Sequence, residues 1–151
     1  MISSSKNLLY FVCALVMGLT ACQKKEMSAE AEPTTVKVQH ILVAFEGTLP
    51  GQKVERSKED AEKLAADLLE RAKAKNADFE ALVREYSSDR PPGIYEMSNK
   101  GVAPAAGAFS RDQMVPGFGD IAFQLKVGDV GMAPYDAAKS PFGFHIIKRL
   151  N

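Results

Sequence analysis

FSRDQMVPGFGDIAFQL, Phe109 to Leu125, is the stretch on which the reading of this chain turns. It sets three large apolar side chains, Met114, Phe118 and Phe123, among Pro116, Gly117 and Gly119, residues that favour turns and helix starts over one long uniform helix. Such a segment can fold into a small apolar cup. The same residues, taken one by one, also suit an ordinary core. Their company gives the cup its weight: the two histidines, His40 and His145, each sit in a strand-like apolar run far from the stretch, and folding can bring both beside it.

Working outward, 151 residues of which 46% are hydrophobic and 25% charged make one globular domain with a short appendage. Nineteen basic residues balance nineteen acidic ones, so no net positive charge argues for nucleic acid. Both cysteines, Cys13 and Cys22, precede the globular part, which therefore has no thiol, disulfide or cysteine metal site. Histidines at positions 40 and 145 alone form no histidine-rich metal site.

Met1 to Leu19 opens with a short polar region containing Lys6 and runs apolar from Leu8 to Leu19, short of the ~20 residues a spanning helix needs. It reads as a secretory signal. Leu19-Thr20-Ala21-Cys22 resembles the lipobox of bacterial lipoproteins, which makes residues 1–21 a lipoprotein signal peptide and Cys22 the lipidated mature N-terminus. An ordinary signal peptide with an accidental cysteine is the other reading. Residues 22–35 form a flexible tether that reaches only about 20 Å, so the domain stays close to the membrane. Gln23 in place of an aspartate favours the outer membrane, facing the periplasm.

The domain spans 36–151. Val36 to Val43 alternates, with Val36, Val38, His40 and Leu42 on one face, and reads as a strand. Ser57 can cap a helix whose Ala61, Leu64, Ala65, Leu68, Leu69 and Ala72 make one apolar stripe. Asp78 can cap a second, shorter helix with Phe79, Leu82, Val83 and Tyr86 inward. Ser87 to Pro104 reads as an irregular loop, broken by Pro91, Pro92, Gly93, Gly101 and Pro104. Strands follow at Gly107 to Ser110, Val130 to Tyr135 and Phe142 to Leu150, with a helix between the first two, which describes an α+β domain with a mostly antiparallel sheet.

Read together, Val38-Gln39-His40-Ile41-Leu42-Val43, Tyr86-Ser87-Ser88-Asp89, Gly107-Ala108-Phe109, Met114 with Phe118, and Phe142-Gly143-Phe144-His145-Ile146-Ile147 resemble the parvulin-type peptidyl-prolyl isomerases over residues 38 to 150. The resemblance implies a four-stranded, mostly antiparallel sheet wrapped by about four helices, and no cofactor. It pairs His40 with His145, makes Met114 and Phe118 the proline pocket, sets Asp89 beside the rotating bond, and puts Phe123 and Phe142 in or near the floor. Where the family carries a pocket-wall leucine this chain has Ala106, which widens the pocket. Asp89 equally suits a loop aspartate bonding nearby backbone N–H groups, and each histidine a hydrogen-bonded core residue.

The function implied is Xaa-Pro isomerisation in unfolded or partly folded exported proteins, by a lipoprotein of the cell envelope. Lys53, Arg56 and Lys58, diluted by Glu46, Glu55, Glu59 and Asp60, imply no preference for phosphate before proline. The alternative is a non-catalytic chaperone or peptide-binding lipoprotein on the same fold. A purely structural lipoprotein would need neither the cup nor the histidines. Mass spectrometry of the native protein should find acyl mass on an N-terminal Cys22; a mature chain starting elsewhere and free of lipid would contradict the anchor.

Overall fold

The computed structural model describes residues 31–151; the expected signal peptide, Cys22 and most of the expected tether lie outside the described residues. Strands β1 (Thr35–Val43), β2 (Ile94–Ser98), β3 (Phe109–Ser110), β4 (Val130–Ala133) and β5 (Phe144–Arg149) are interleaved with helices α1 (Lys58–Lys73), α2 (Phe79–Tyr86) and α3 (Pro116–Gln124). A single 3-10 turn, Arg111–Gln113, leads into α3. None of these helices is long and apolar enough to cross a membrane.

One mixed sheet runs in the order β3-β2-β1-β5-β4, antiparallel except for the parallel β2 and β3. Among the described residues this corrects the expected four strands and about four helices to five strands and three α-helices. The additional strand, β2, lies inside the stretch read as an irregular loop. Pro91-Pro92-Gly93 before it and Asn99-Lys100-Gly101 after it are turn formers, and they hid a five-residue strand carrying Ile94 and Tyr95.

The alternation along β1 is realised on both faces. Ile41 and Val43, with Phe144 and Ile146 of β5, meet the buried stripes of α1 and α2: Ala61, Ala65, Leu68 and Ala72, then Phe79, Leu82 and Val83. On the other face Val36, Val38 and Ile147 pack against Phe118, Ala122 and Phe123 of α3. Both capping residues act as their positions imply. Ser57 Oγ accepts from the Asp60 amide at 3.1 Å and Asp78 Oδ1 from that of Ala81 at 2.9 Å, each cap contributing ~1 kcal/mol.

Helix α3 starts on Pro116, whose missing N–H costs nothing there. At its other end Arg149 of β5 donates to the carbonyls of Leu125 at 3.1 Å and Ala122 at 3.5 Å. A cation suits a helix C-terminus, and this one pins α3 across the sheet, which holds Phe118 over β1 and β5. Arg111 braces the helix from its flank. Its guanidinium donates to Asp120 of α3 at 2.8 Å, to Asn99 at 3.0 Å and to Glu32 at 2.6 Å, and lies 4.7 Å from the centre of the Phe123 ring. Glu32 is therefore held against the domain, and the Thr34 carbonyl accepts from the Asn99 amide at 2.8 Å.

Strand β5 begins at Phe144, not Phe142. Between them Gly143 has φ +135°, and a β-carbon there would collide with the Val43 carbonyl oxygen of the neighbouring strand. The chain therefore turns before it joins the sheet, and Phe142 stands 39% exposed. Gly143→Ala should cost at least about 2 kcal/mol of stability in urea unfolding, because strain and overlap with backbone add. A loss below about 0.5 kcal/mol, the size of an ordinary surface change, would contradict this approach of β5 to β1.

Candidate active site

Strand register builds the site first. His40 pairs with Ile147 and Leu42 with His145, so the histidines are diagonal neighbours on the face covered by α3. Their rings stack with centres 5.4 Å apart and Nδ1 3.3 Å from Nδ1. Phe118 closes over both, edge-on at 5.1 Å from His40 and 5.5 Å from His145. Each histidine is 4% exposed.

Beyond the end of β2 another stretch runs along the free edge of β1. Ser87 Oγ accepts from the Leu42 amide at 3.1 Å, Ser88 Oγ from that of Ala44 at 3.3 Å, and the Ser88 amide donates to the Leu42 carbonyl at 2.7 Å. This stitching delivers Asp89 to His40. The Gly93 carbonyl accepts from the His40 amide at 2.9 Å, and a β-carbon on Gly93 would lie 2.7 Å from the His40 carbonyl oxygen, so the approach needs glycine. Asp89 Oδ2 accepts from His40 Nε2 at 2.9 Å and from the Tyr95 hydroxyl at 2.8 Å, while Oδ1 accepts from the Arg90 amide at 2.8 Å. Asp89 thus holds both the histidine and its own loop.

The hydrogen bonds fix the protons. A carboxylate only accepts, so His40 carries a proton on Nε2. With His40 neutral, its Nδ1 is the acceptor, and the proton between the rings belongs to His145 Nδ1. That leaves His145 Nε2 a bare lone pair, buried and without a partner. The His40 hydrogen bond holds the Asp89 carboxyl well below the usual range against the opposing effect of burial, with help from Tyr95 and the Arg90 amide. Burial, then the neighbouring His40 ring, pulls His145 down to about 3. Burial, then the Asp89 carboxylate, pushes the Tyr95 hydroxyl up to about 12.

A cavity of about 330 Å³ opens beside this chain of groups, lined by Leu42, Leu49, Tyr95, Gln113, Met114, Val115, Phe118 and Phe142 with His40, Asp89 and His145. Six of the residues singled out from sequence meet here: His40, Asp89, Met114, Phe118, Phe142 and His145. Phe123 does not. It is 2% exposed, in the core beneath Arg111. Ala106 is exposed, outside the lining. Sequence reasoning missed Leu42, Leu49, Tyr95, Gln113 and Val115 as lining residues; for Tyr95 the signal was the short alternation Ile94-Tyr95-Glu96-Met97. No group of three potential metal ligands occurs among the described residues.

The PPIC-type PPIASE domain family matches residues 22–151 of the chain. The peptidyl-prolyl cis-trans isomerase ESS1 of Saccharomyces cerevisiae is 33% identical over 125 residues, 78% of this chain and 66% of the yeast protein. The foldase protein PrsA of Caldanaerobacter subterraneus is 37% identical over 113 residues, 75% of this chain but only 28% of the foldase. The chain thus spans about two thirds of the one relative and about a quarter of the other. In fold it is similar to the solution structure of TbPIN1, with a TM-score of 0.58 at 22% identity, covering 78% of this chain and 98% of that one.

Histidine NMR should find His145 neutral down to about pH 4, where an ordinary imidazole, with midpoint about 6.5, is fully protonated. The folded ring resists a proton that the unfolded chain takes up. Stability is therefore full above about pH 6.5 and falls as the pH drops toward about 3, by about 1.4 kcal/mol per pH unit. A His145 midpoint above about 6 would contradict the burial of its ring.

Proposed function

The chain belongs to the PPIC-type, or parvulin, family of peptidyl-prolyl isomerases, and from that membership we propose that its pocket seats the proline of an unfolded polypeptide and turns the bond before it. The observation that carries the reading is one cavity that joins an apolar seat, Met114, Val115 and Phe118, to an ionised carboxylate, Asp89. The planar amide resists rotation by ~18 to 20 kcal/mol, and uncatalysed Xaa-Pro bonds turn in tens to hundreds of seconds. Nothing covalent is made or broken. Resonance puts negative charge on the carbonyl oxygen, and the twisted transition state loses it. An apolar seat beside an anion disfavours the planar form more than the twisted one, which is differential binding; each tenfold gain in rate takes ~1.4 kcal/mol.

The three basic residues after β1 support a site without phosphate preference, because each is engaged elsewhere. Lys53 pairs with Glu55 at 2.7 Å, Arg56 donates to the Ala44 carbonyl at 2.8 Å, and Lys58 lies 5.0 Å from the centre of the Tyr135 ring. The signal, the short tether and Cys22 make the clients exported proteins, met by a lipid-anchored domain outside the cytoplasm, at the outer membrane and facing the periplasm. The resemblance to foldases favours a second reading, a chaperone or peptide-binding lipoprotein that holds proline-containing segments in the same pocket without turning them.

Peptides with Ser, Glu or phosphoserine before proline, assayed for binding and for isomerisation, separate these readings. Wild-type protein should accelerate all three to a similar degree, and a phosphopeptide advantage of about tenfold or more would contradict the loop assignment. Met114→Ala, at a half-buried position, should lower kcat/KM about tenfold with little loss of stability. Phe118→Ala, where the ring is 1% exposed, should lose activity and also about 3 to 5 kcal/mol of stability. Binding with no acceleration by the wild type decides for the second reading.

A further inference from the structure

Strand β2 carries into the site a residue that no motif marks. The Tyr95 hydroxyl lies 2.8 Å from Asp89 Oδ2, on the oxygen that also meets His40. Its ring stands edge-on to His40 at 5.2 Å and to Phe118 at 5.9 Å. On its outer side it leans on Phe109 at 5.8 Å, a ring 42% exposed. We propose that Tyr95 is a positioning residue of this pocket: its hydroxyl holds Asp89 Oδ2 on His40 Nε2, and its ring forms the pocket wall that Ala106 does not reach.

The proposal deepens the isomerase reading and rests on it. The Asp89 side chain is 29% exposed, so with His40 as its only side-chain donor the carboxylate has room to turn toward water. A second donor on the same oxygen removes that freedom. Together with the Arg90 amide on Oδ1, three of the roughly four acceptor positions of the carboxylate are taken, and its charge is fixed in place before any substrate arrives. A charge fixed in advance needs no reorganisation during the reaction, which is the condition under which it acts most strongly. The groups facing Asp89 are His40 from β1 and Tyr95 from β2, with His145 of β5 behind His40. Buried against this carboxylate, the Tyr95 hydroxyl keeps its proton well beyond neutral pH, so it remains a donor throughout the working range.

Tyr95→Phe keeps the ring and removes the hydroxyl. The variant should bind a proline peptide as the wild type does, while its kcat falls about fivefold or more. The acid limb of its activity should move to higher pH, because Asp89 loses a donor that favours its anion. Added to Asp89→Asn, where there is no anion left to hold, Tyr95→Phe should lower kcat by less than about twofold. Carbon NMR supplies a readout that needs no turnover: in Asp89→Asn the Tyr95 ionisation should fall from about 12 toward the ordinary value of about 10. Wild-type kcat and an unmoved Asp89 titration in Tyr95→Phe would overturn the proposal. If the wild type turns no Xaa-Pro bond, the isomerase reading fails by itself and the titrations still decide: a raised Asp89 midpoint in Tyr95→Phe upholds the positioning role and an unmoved one overturns it. If Tyr95→Phe does not fold, the Tyr95 ionisation in Asp89→Asn decides it in the same way.

Discussion

The Asp89 carboxylate, held between His40 and Tyr95, is the interaction on which the rest of the site depends. It fixes the proton on His40 Nε2, and through the ring contact it sets the tautomer of His145. That order exists only because β1 and β5 pair in one register. A slip of one residue would send one histidine to the face covered by α1 and α2, where Ile41, Val43 and Phe144 now pack. Burying two histidines costs stability that a pair of apolar side chains would not, and the acid sensitivity of His145 is the measurable form of that cost. The helix caps, the Arg149 bonds to the end of α3 and the apolar stripes of α1 and α2 supply the offsetting stability away from the pocket.

How much of this was legible in the chain followed the period of each element. The alternation of β1 and β5 placed His40 and His145 on one face because a strand repeats every second residue, whatever packs on it. Ser57 and Asp78 marked helix starts because a cap is a local event. Phe123 was harder. It follows Phe118 by five residues, about 140° around a helix, so the two rings face different ways, yet the composition of the stretch is the same for pocket and core. Strand β2 was hidden because its longer pairing is with β1, 55 to 63 positions away at the paired residues Gln39–Ile94 and Thr35–Ser98, while its neighbours in sequence are turn formers. With β2 unread, Tyr95 went unread, and the pocket wall fell to Ala106 by motif position alone.

The fold thus separates two tasks. The sheet and its two helical layers make the scaffold, and the pocket at the edge of α3 gathers the groups that the proposed chemistry would use. Its apolar seat suits a proline ring, and among the described residues Asp89 is the one acidic group in its lining, with no lysine or arginine side chain bonded to it. On the proposed reading, the seat serves to hold an unfolded segment and the fixed charge adds what turning the bond draws on. The two proposed readings of this site therefore differ in what they ask of Asp89 and of the two donors on its Oδ2 atom.

The most direct test of that account is the proton position on His40. Long-range nitrogen–proton correlation on the histidine-labelled protein near neutral pH should show His40 protonated at Nε2 in every charge state, with His145 protonated at Nδ1 when both rings are neutral. A neutral His40 carrying its proton on Nδ1, with Nε2 bare toward Asp89, would contradict it.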